Sequence, residues 1–481
     1  MKGTVITWYL GIALLLVSAL MAVSGVIACF IPNDESRMPL LFSAFVTGAV
    51  GVFPLIFVRR GKHRLNFREG NCVVVLSWLF ACTFGMMPFL FYGGEFTFVN
   101  ALFESVSGFT TTGASILTDI ESLPHGLLFW RTATAWVGGV GIVTLFSRLM
   151  VGRSDKSALS GSEISSMARE EQPDVRSEFF ANRMLLVYVV LTLLSTGALK
   201  LTGLGWFDAV TTAMSACSTC GFCTRNESIA SFNNPSAEIV LTVTMLLAGL
   251  NFGLIFVSLT KGRHRNLFTS QISQAFLLLV LLGIVLVTGD LLVKGNYTSF
   301  WTAVKDAAFQ VASISTTTGF ATKDTTQWPT LAMGVLLVCS LVCGCSGSTS
   351  GGIKMDRVTL AVEGVLAKVK RYTQPNRVFI IRVDGRERSD EQVADALAFI
   401  VCYMAIMVFC SILNYVAGLD FVTGLSASIA CIGNVGPGFG DLGSMANYSD
   451  VPVLIKYSSM VEMIVGRLEI FPVLYLFRGF R

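Results

Sequence analysis

Runs of about twenty apolar residues recur along the whole 481-residue chain, and they restrict the solvent it can fold in. A run of that length crosses the hydrocarbon core of a bilayer as a helix, which satisfies its own backbone hydrogen bonds where no water can. Ten long segments can be marked, at about 4–31, 39–58, 72–93, 126–150, 183–203, 238–260, 272–293, 329–364, 394–418 and 451–477. Only 14% of the residues are charged and 53% are apolar, against about 25% charged in a soluble domain. The expected fold class is an all-α polytopic membrane protein. The first run, Thr4 to Ile31, is too long for the apolar core of a cleaved signal and has no clear cleavage site, so a retained anchor is expected. Four shorter apolar stretches, near 98–112, 206–220, 302–318 and 423–435, are too short to cross and too apolar for loops, which predicts re-entrant segments.

Basic residues set the orientation. With the N-terminus inside, the outer connections carry six (Arg37, Lys200, Arg225, Lys294, Lys305, Lys323), while clusters such as "RRGKHR", "KGRHR" and "KVKR" fall inside. Both termini are therefore expected in the cytoplasm, with the chain in the cytoplasmic (inner) membrane. The net charge of +4 is carried by these inner clusters, so the lipid bilayer is the expected partner and no nucleic acid is. Three sequons (Asn226, Asn296, Asn447) fall outside, no more than chance supplies.

The short segments are related to one another. "SGFTTTGAS", "SACSTCGFCT", "SISTTTGFAT" and "CIGNVGPGFG" align on Gly113, Gly221, Gly319 and Gly436, spaced by 108, 98 and 117 residues. Thirteen positions before each glycine stand Asn100, Asp208, Asp306 and Thr423, read as helix N-caps. One further on are Ala101, Ala209, Ala307 and Gly424; six before are Ser107, Ser215, Ser313 and Ala430; two before are Thr111, Thr219, Thr317 and Asn434. Agreement at separated positions marks four copies of one unit: helix, short re-entrant helix of nine or ten residues, glycine turn, helix. Four such units can surround a common axis, with backbone carbonyls replacing the hydration shell of a monovalent cation. The candidate filter is Thr111, Thr112, Gly113; Thr219, Cys220, Gly221; Thr317, Thr318, Gly319; and Asn434, Val435, Gly436. Asp119, Glu121 and Asp441 lie on the outer side, as solvated loop acids or as a field that gathers cations.

Cys217, Cys220 and Cys223 could be read as a metal knuckle or a redox motif. The repeat argues otherwise, because Cys220 stands where Thr112 and Thr318 stand, and the other two align with non-thiol residues. No zinc site is expected. The turns offer no protonatable catalytic side chain, so the chain is not expected to be an enzyme.

The four units, the "GFTTTGAS" and "NVGPGFG" turns and the ten segments together resemble the Trk/Ktr/HKT superfamily of potassium transporters, nearest its bacterial TrkH branch. The resemblance covers essentially the whole chain. It implies a helix pair at 1–70 ahead of pore repeats at 71–155, 180–265, 270–371 and 390–481, all around one pore. In that family one filter glycine per repeat is associated with potassium and a serine in the first repeat with sodium preference. Glycine at all four positions thus implies potassium as substrate, with sodium incompletely excluded, and no cofactor bound by this chain. The run "GCSGSTSGGIK" (Gly344, Ser346, Gly347, Ser348, Thr349, Ser350, Gly351, Gly352, Lys354) breaks the eighth segment. On its residues alone it is a cavity-lining loop or a small-residue packing seam; the resemblance implies an intramembrane gate. Arg467 in the last segment is either a functional charge or a clamp on Glu462 or Glu469, and the resemblance places it facing the pore. It also implies a homodimer and a cytoplasmic nucleotide-binding regulatory subunit of the TrkA/KtrA type, since this chain has no nucleotide-binding motif of its own. Residues 151–182 read as a polar cytoplasmic segment and 372–392 as holding a strand pair. The competing functions are transport of sodium or ammonium on the same scaffold, or an intramembrane thiol protein.

Overall fold

Where the helices break says as much as where they run. The structure, a computed structural model, describes residues 3–58, 67–141, 177–260 and 268–479. Among them six helices are long and apolar enough to cross a bilayer: Thr4–Phe30, Arg37–Phe57, Glu69–Tyr92, Asn182–Leu201, Gln271–Val293 and Asp390–Val416. The first two form a hairpin whose turn is closed by Arg37, donating to the carbonyls of Ala28 (3.1 Å) and Ile31 (2.6 Å). Leu278, Leu281 and Val285 stay exposed along one face of Gln271–Val293, as a lipid-facing helix requires.

The other four crossings are interrupted, and each is the second helix of a repeat. His125–Trp136 passes into a π-helical turn, Val137–Gly141. Pro235–Gly249 and Phe252–Thr260 meet at 100°. Thr330–Val342 and Met355–Thr373 are separated by the expected loop. Val453–Arg467 and Ile470–Gly479 are parted at Glu469, whose φ is 56°. Only the third break was legible beforehand. The second break is marked only by Asn251 and the fourth by Arg467, Glu469 and Pro472, too few polar positions to interrupt an apolar run, so the segments at 238–260 and 451–477 read as continuous.

The four short helices are Phe98–Phe109, Trp206–Ser218, Phe300–Ser315 and Phe421–Ile432, with 12, 13, 16 and 12 residues. They are longer than the nine or ten expected, and their caps lie further upstream. Asn100, Asp208, Asp306 and Thr423 sit inside the helices, and the N-caps are Thr97, Gly205, Ser299 and Asp420. The Thr97 hydroxyl accepts from the Asn100 amide at 3.4 Å, and Asp420 accepts from Val422 and Thr423 at 3.0 and 3.2 Å. An aromatic residue opens every one of these helices (Phe98, Trp206, Phe300, Phe421); a start at Asn100, Asp208 or Thr423 overlooks one turn, and a start at Asp306 overlooks two.

Ile381–Val383 pairs antiparallel with Arg386–Arg388, the expected strand pair. Its turn residue Asp384 accepts from the Ser270 hydroxyl at 2.9 Å, joining the hairpin to the start of Gln271–Val293. Residues 151–176 of the polar segment, the end of the 126–150 segment and the basic clusters at 59–64 and 261–265 lie outside the described residues.

Candidate ion filter

Each short helix ends in the same motif. The amides of Thr111, Thr219, Thr317 and Asn434 bond the carbonyl three residues back (Gly108, Ala216, Ile314, Cys431). The next amides, of Thr112, Cys220, Thr318 and Val435, reach five residues back to Ser107, Ser215, Ser313 and Ala430, at 2.9, 3.1, 2.8 and 2.8 Å. This is the Schellman pattern, which puts one residue in the left-handed region, usually glycine. Here that residue is Thr111, Thr219, Thr317 or Asn434, with φ between 53° and 57°. A β-branched residue at positive φ is an outlier that costs about 1–3 kcal/mol. Three threonines at the same strained position show that packing over-determines the turn; all four residues are 1% exposed or less.

The glycines close the turns into a ring. A β-carbon built on Gly113 would lie 1.8 Å from the Cys220 carbonyl oxygen; on Gly221, 2.2 Å from that of Thr318. On Gly319 it would lie 2.2 Å from the Val435 oxygen, and on Gly436, 2.4 Å from that of Thr112. Each glycine thus abuts the carbonyl preceding the next glycine, and the order runs through repeats one, two, three, four and back to one. All four glycines have φ between 78° and 95°. No side chain fits here without displacing a neighbouring carbonyl. The Asn434 side-chain amide also donates to the Thr112 hydroxyl (3.1 Å), tying the fourth repeat to the first.

The residues from Gly344 to Lys354 pack against the ends of these turns. Thr349 donates through its hydroxyl to the Cys217 carbonyl (2.9 Å), and the Gly351 amide donates to the Thr317 hydroxyl (3.0 Å). A β-carbon on Gly351 would lie 2.4 Å from the Gly433 carbonyl oxygen. The loop is fixed to the 100° break in the second repeat: the Phe252 amide donates to the Gly347 carbonyl (3.0 Å) and the Asn251 side chain to that of Ser346 (2.8 Å). Ser348 donates to Cys345 (2.6 Å) and shares a hydrogen bond with Ser350 (2.7 Å). The Met355 amide returns to Gly344 (2.9 Å), while Gly347, Gly352 and Lys354 adopt positive φ. Arg467 spans the assembly, donating to the carbonyls of Thr349 (2.8 Å), Gly138 (2.8 Å) and Gly139 (2.7 Å). The clamp on a glutamate is not what these bonds describe. Glu469 instead holds Lys354 (3.6 Å) and Arg357 (2.6 Å), and Glu462 accepts from Ser428.

Several residues of this assembly were passed over in the sequence. Asn251 and Arg131 are isolated polar residues within apolar runs, a signal that was available. Asp356, which accepts from the Ser346 amide, follows the loop directly. Among the loop acids, Asn226 donates to Asp119 (2.9 Å), holding that carboxyl below its usual range, so its negative charge persists into acidic solution. Glu121 lies 3.8 Å from Arg225, and the Asp441 amide donates to Thr423 (3.4 Å).

Cys217, Cys220 and Cys223 are buried and unbridged, and among the described residues no group of three His, Cys, Asp or Glu side chains could hold a metal. Replacing all three by serine is expected to leave rubidium uptake within about twofold of wild type, because the ring contacts are made by backbone. Loss of all uptake in folded protein would return the thiol reading.

The fold and the ring define a four-repeat membrane protein built around one axis of backbone carbonyls. Residues 41–282 and 274–480 match the TrkH family model, described as a cation transport protein. The Trk system potassium uptake protein TrkH of Salmonella typhimurium is 32% identical over 479 residues, covering 98% of both chains. TrkG of Escherichia coli K12, also a Trk system potassium uptake protein, is 30% identical over 480 residues, covering 99% of this chain and 98% of its own. The crystal structure of the potassium transporter TrkH from Vibrio parahaemolyticus superposes with a TM-score of 0.88 at 30% identity, over 99% of this chain and 98% of that one. The chain belongs to the TrkH family.

Proposed function

We propose that this protein takes up potassium across the cytoplasmic membrane, through the ring formed by residues 111–113, 219–221, 317–319 and 434–436. The observation that carries the reading is ring closure: four glycines each abut the carbonyl of the next repeat. Such carbonyls replace water around a dehydrated potassium ion, and their number and field favour it over sodium. The curated relatives named above are potassium uptake proteins, which supports this ion over ammonium.

The loop 344–354 is the gate in this reading, and Arg467 is its latch. The loop's Thr349 hydroxyl reaches the short helix of the second repeat, its Gly351 backbone touches the turns of the third and fourth, and Arg467 ties Thr349 to the broken helix of the first. A cytoplasmic nucleotide-binding subunit of the TrkA/KtrA type regulates the gate, two copies of the chain form the dimer, and both termini face the cytoplasm. The relatives are named as members of a Trk system, which supports a separate regulatory component.

The test is uptake of radiolabelled rubidium by potassium-starved cells lacking other uptake routes. Expression of this chain is expected to drive rubidium accumulation that excess potassium suppresses and excess sodium barely alters. Uptake of sodium without rubidium would overturn the assignment.

A further inference from the structure

Glu104 and Arg131 lie outside every expectation drawn from the sequence, and their contacts converge on the segments that leave the filter turns. Glu104 belongs to the first short helix, nine residues before Gly113, and is 0% exposed; Arg131, on the following helix, is 2% exposed. Arg131 is ion-paired through its Nε to the Glu104 carboxylate. That carboxylate also accepts from the Ser115 hydroxyl (3.1 and 3.2 Å) and the Ile116 amide (3.1 Å). The Arg131 Nη1 donates to the Cys223 carbonyl (3.0 Å), and its guanidinium lies 3.7 Å over the centre of the Phe222 ring. Ser115 and Cys223 occupy the same place in adjacent repeats, two residues after Gly113 and Gly221. One ion pair therefore grips the same position of two neighbouring turns.

The other repeats lack this device. Nine residues before their glycines stand Thr212, Gln310 and Ala427. Gln310 donates to the Lys323 carbonyl (3.0 Å), an uncharged brace within its own repeat. The Thr212 hydroxyl has no hydrogen-bond partner among the described residues, and Ala427 has no polar group to offer. A charged, forked contact is shorter and stiffer than a neutral one, and arginine alone combines bidentate reach with stacking. Burying two charges is a poor route to stability, since an apolar pair of the same volume serves as well or better. The position of the pair, bridging two turns of a ring whose carbonyl spacing sets ion preference, points to a different use.

We propose that Glu104 and Arg131 are a positioning pair for the ion filter. They fix the spacing of the first and second turns, and with it the preference for potassium over sodium. The proposal rests on the filter reading above. Its test compares rubidium and sodium uptake into liposomes holding the full-length protein: wild type, Arg131→Lys, and the double variant Glu104→Gln/Arg131→Met. The double variant keeps volume and the acceptor for Ser115 while stranding no charge.

The sodium-to-rubidium ratio is expected to rise about fivefold or more in the double variant, as the bridge to the second turn is lost. Lysine is expected to fall between the two, because it keeps the charge opposite Glu104 but cannot also stack on Phe222 and reach Cys223. A merely structural role lowers both fluxes together and leaves the ratio unchanged; that result, with a selective wild type, overturns the proposal alone. Wild-type liposomes that pass both ions equally would overturn the filter reading, and the pair's role with it.

Discussion

Gly113→Ser is expected to cut rubidium uptake by about tenfold or more and to raise the share of sodium that passes, a loss of about 1.4 kcal/mol or more at the barrier. The β-carbon it adds falls 1.8 Å from the Cys220 carbonyl oxygen, far inside van der Waals contact, at a residue with φ of 80°. Serine at such an angle costs about 1–3 kcal/mol before the clash is counted. The second repeat's turn has to give way, so the damage passes to the neighbouring turn. Substitutions at Gly221, Gly319 and Gly436 press on carbonyls at 2.2, 2.2 and 2.4 Å and are expected to act in the same direction. Gly334 is the control. It lies in the helix Thr330–Val342 with nothing within 4 Å of its added β-carbon, and Gly334→Ala is expected to leave uptake unchanged. Parallel rubidium and sodium uptake in the same cells checks both; an unaltered Gly113→Ser would remove the ring from the transport path.

Arg467→Ala is expected to work in the opposite sense, raising potassium flux about tenfold when no activating partner is present. Arg467 makes three charge-assisted hydrogen bonds to carbonyls of the loop and of the π-helical turn at Gly138 and Gly139. Bonds to a charged group contribute about 1.5–3 kcal/mol each, so their loss frees the loop at Thr349 and lowers the barrier to its displacement. About 1.4 kcal/mol of that is enough for the tenfold gain. The Thr349 hydroxyl still holds the Cys217 carbonyl, so the fold around the turns is expected to survive with a lower melting temperature. Arg467→Lys is expected to restore part of the closure, because a point charge reaches one or two of the carbonyls without the fork. Flux into liposomes alongside thermal unfolding separates the two effects: lower stability with unchanged flux would make Arg467 a structural tie only.

The fourfold repeat was legible because each turn makes the same local demand. A left-handed residue two positions before a glycine leaves a sequence trace even where threonine or asparagine supplies it. The order of the ring was not, since the contact of Gly436 with Thr112 joins residues at opposite ends of the chain. The helix caps were misplaced by one turn in three repeats and by two in the third because the aromatic first residues Phe98, Trp206, Phe300 and Phe421 look like loop hydrophobics in a linear string. The 100° bend after Gly249, marked in the sequence only by Asn251, was missed for a different reason. Its freed backbone groups are satisfied by Gly347 and by the Asn251–Ser346 contact, which are tertiary. Arg131 was visible as a charge in an apolar run, yet its partner Glu104 lies 27 residues earlier, on a separate element.

The most direct measurement is the reversal potential of purified protein in a planar bilayer or in liposomes, under imposed potassium, sodium and proton gradients. The expected result is a reversal potential that follows the potassium gradient and shifts little with sodium, and that loses this preference in Gly113→Ser. A potential that follows sodium instead, or that stays at zero under a potassium gradient while current flows, would contradict a potassium filter made of these four turns.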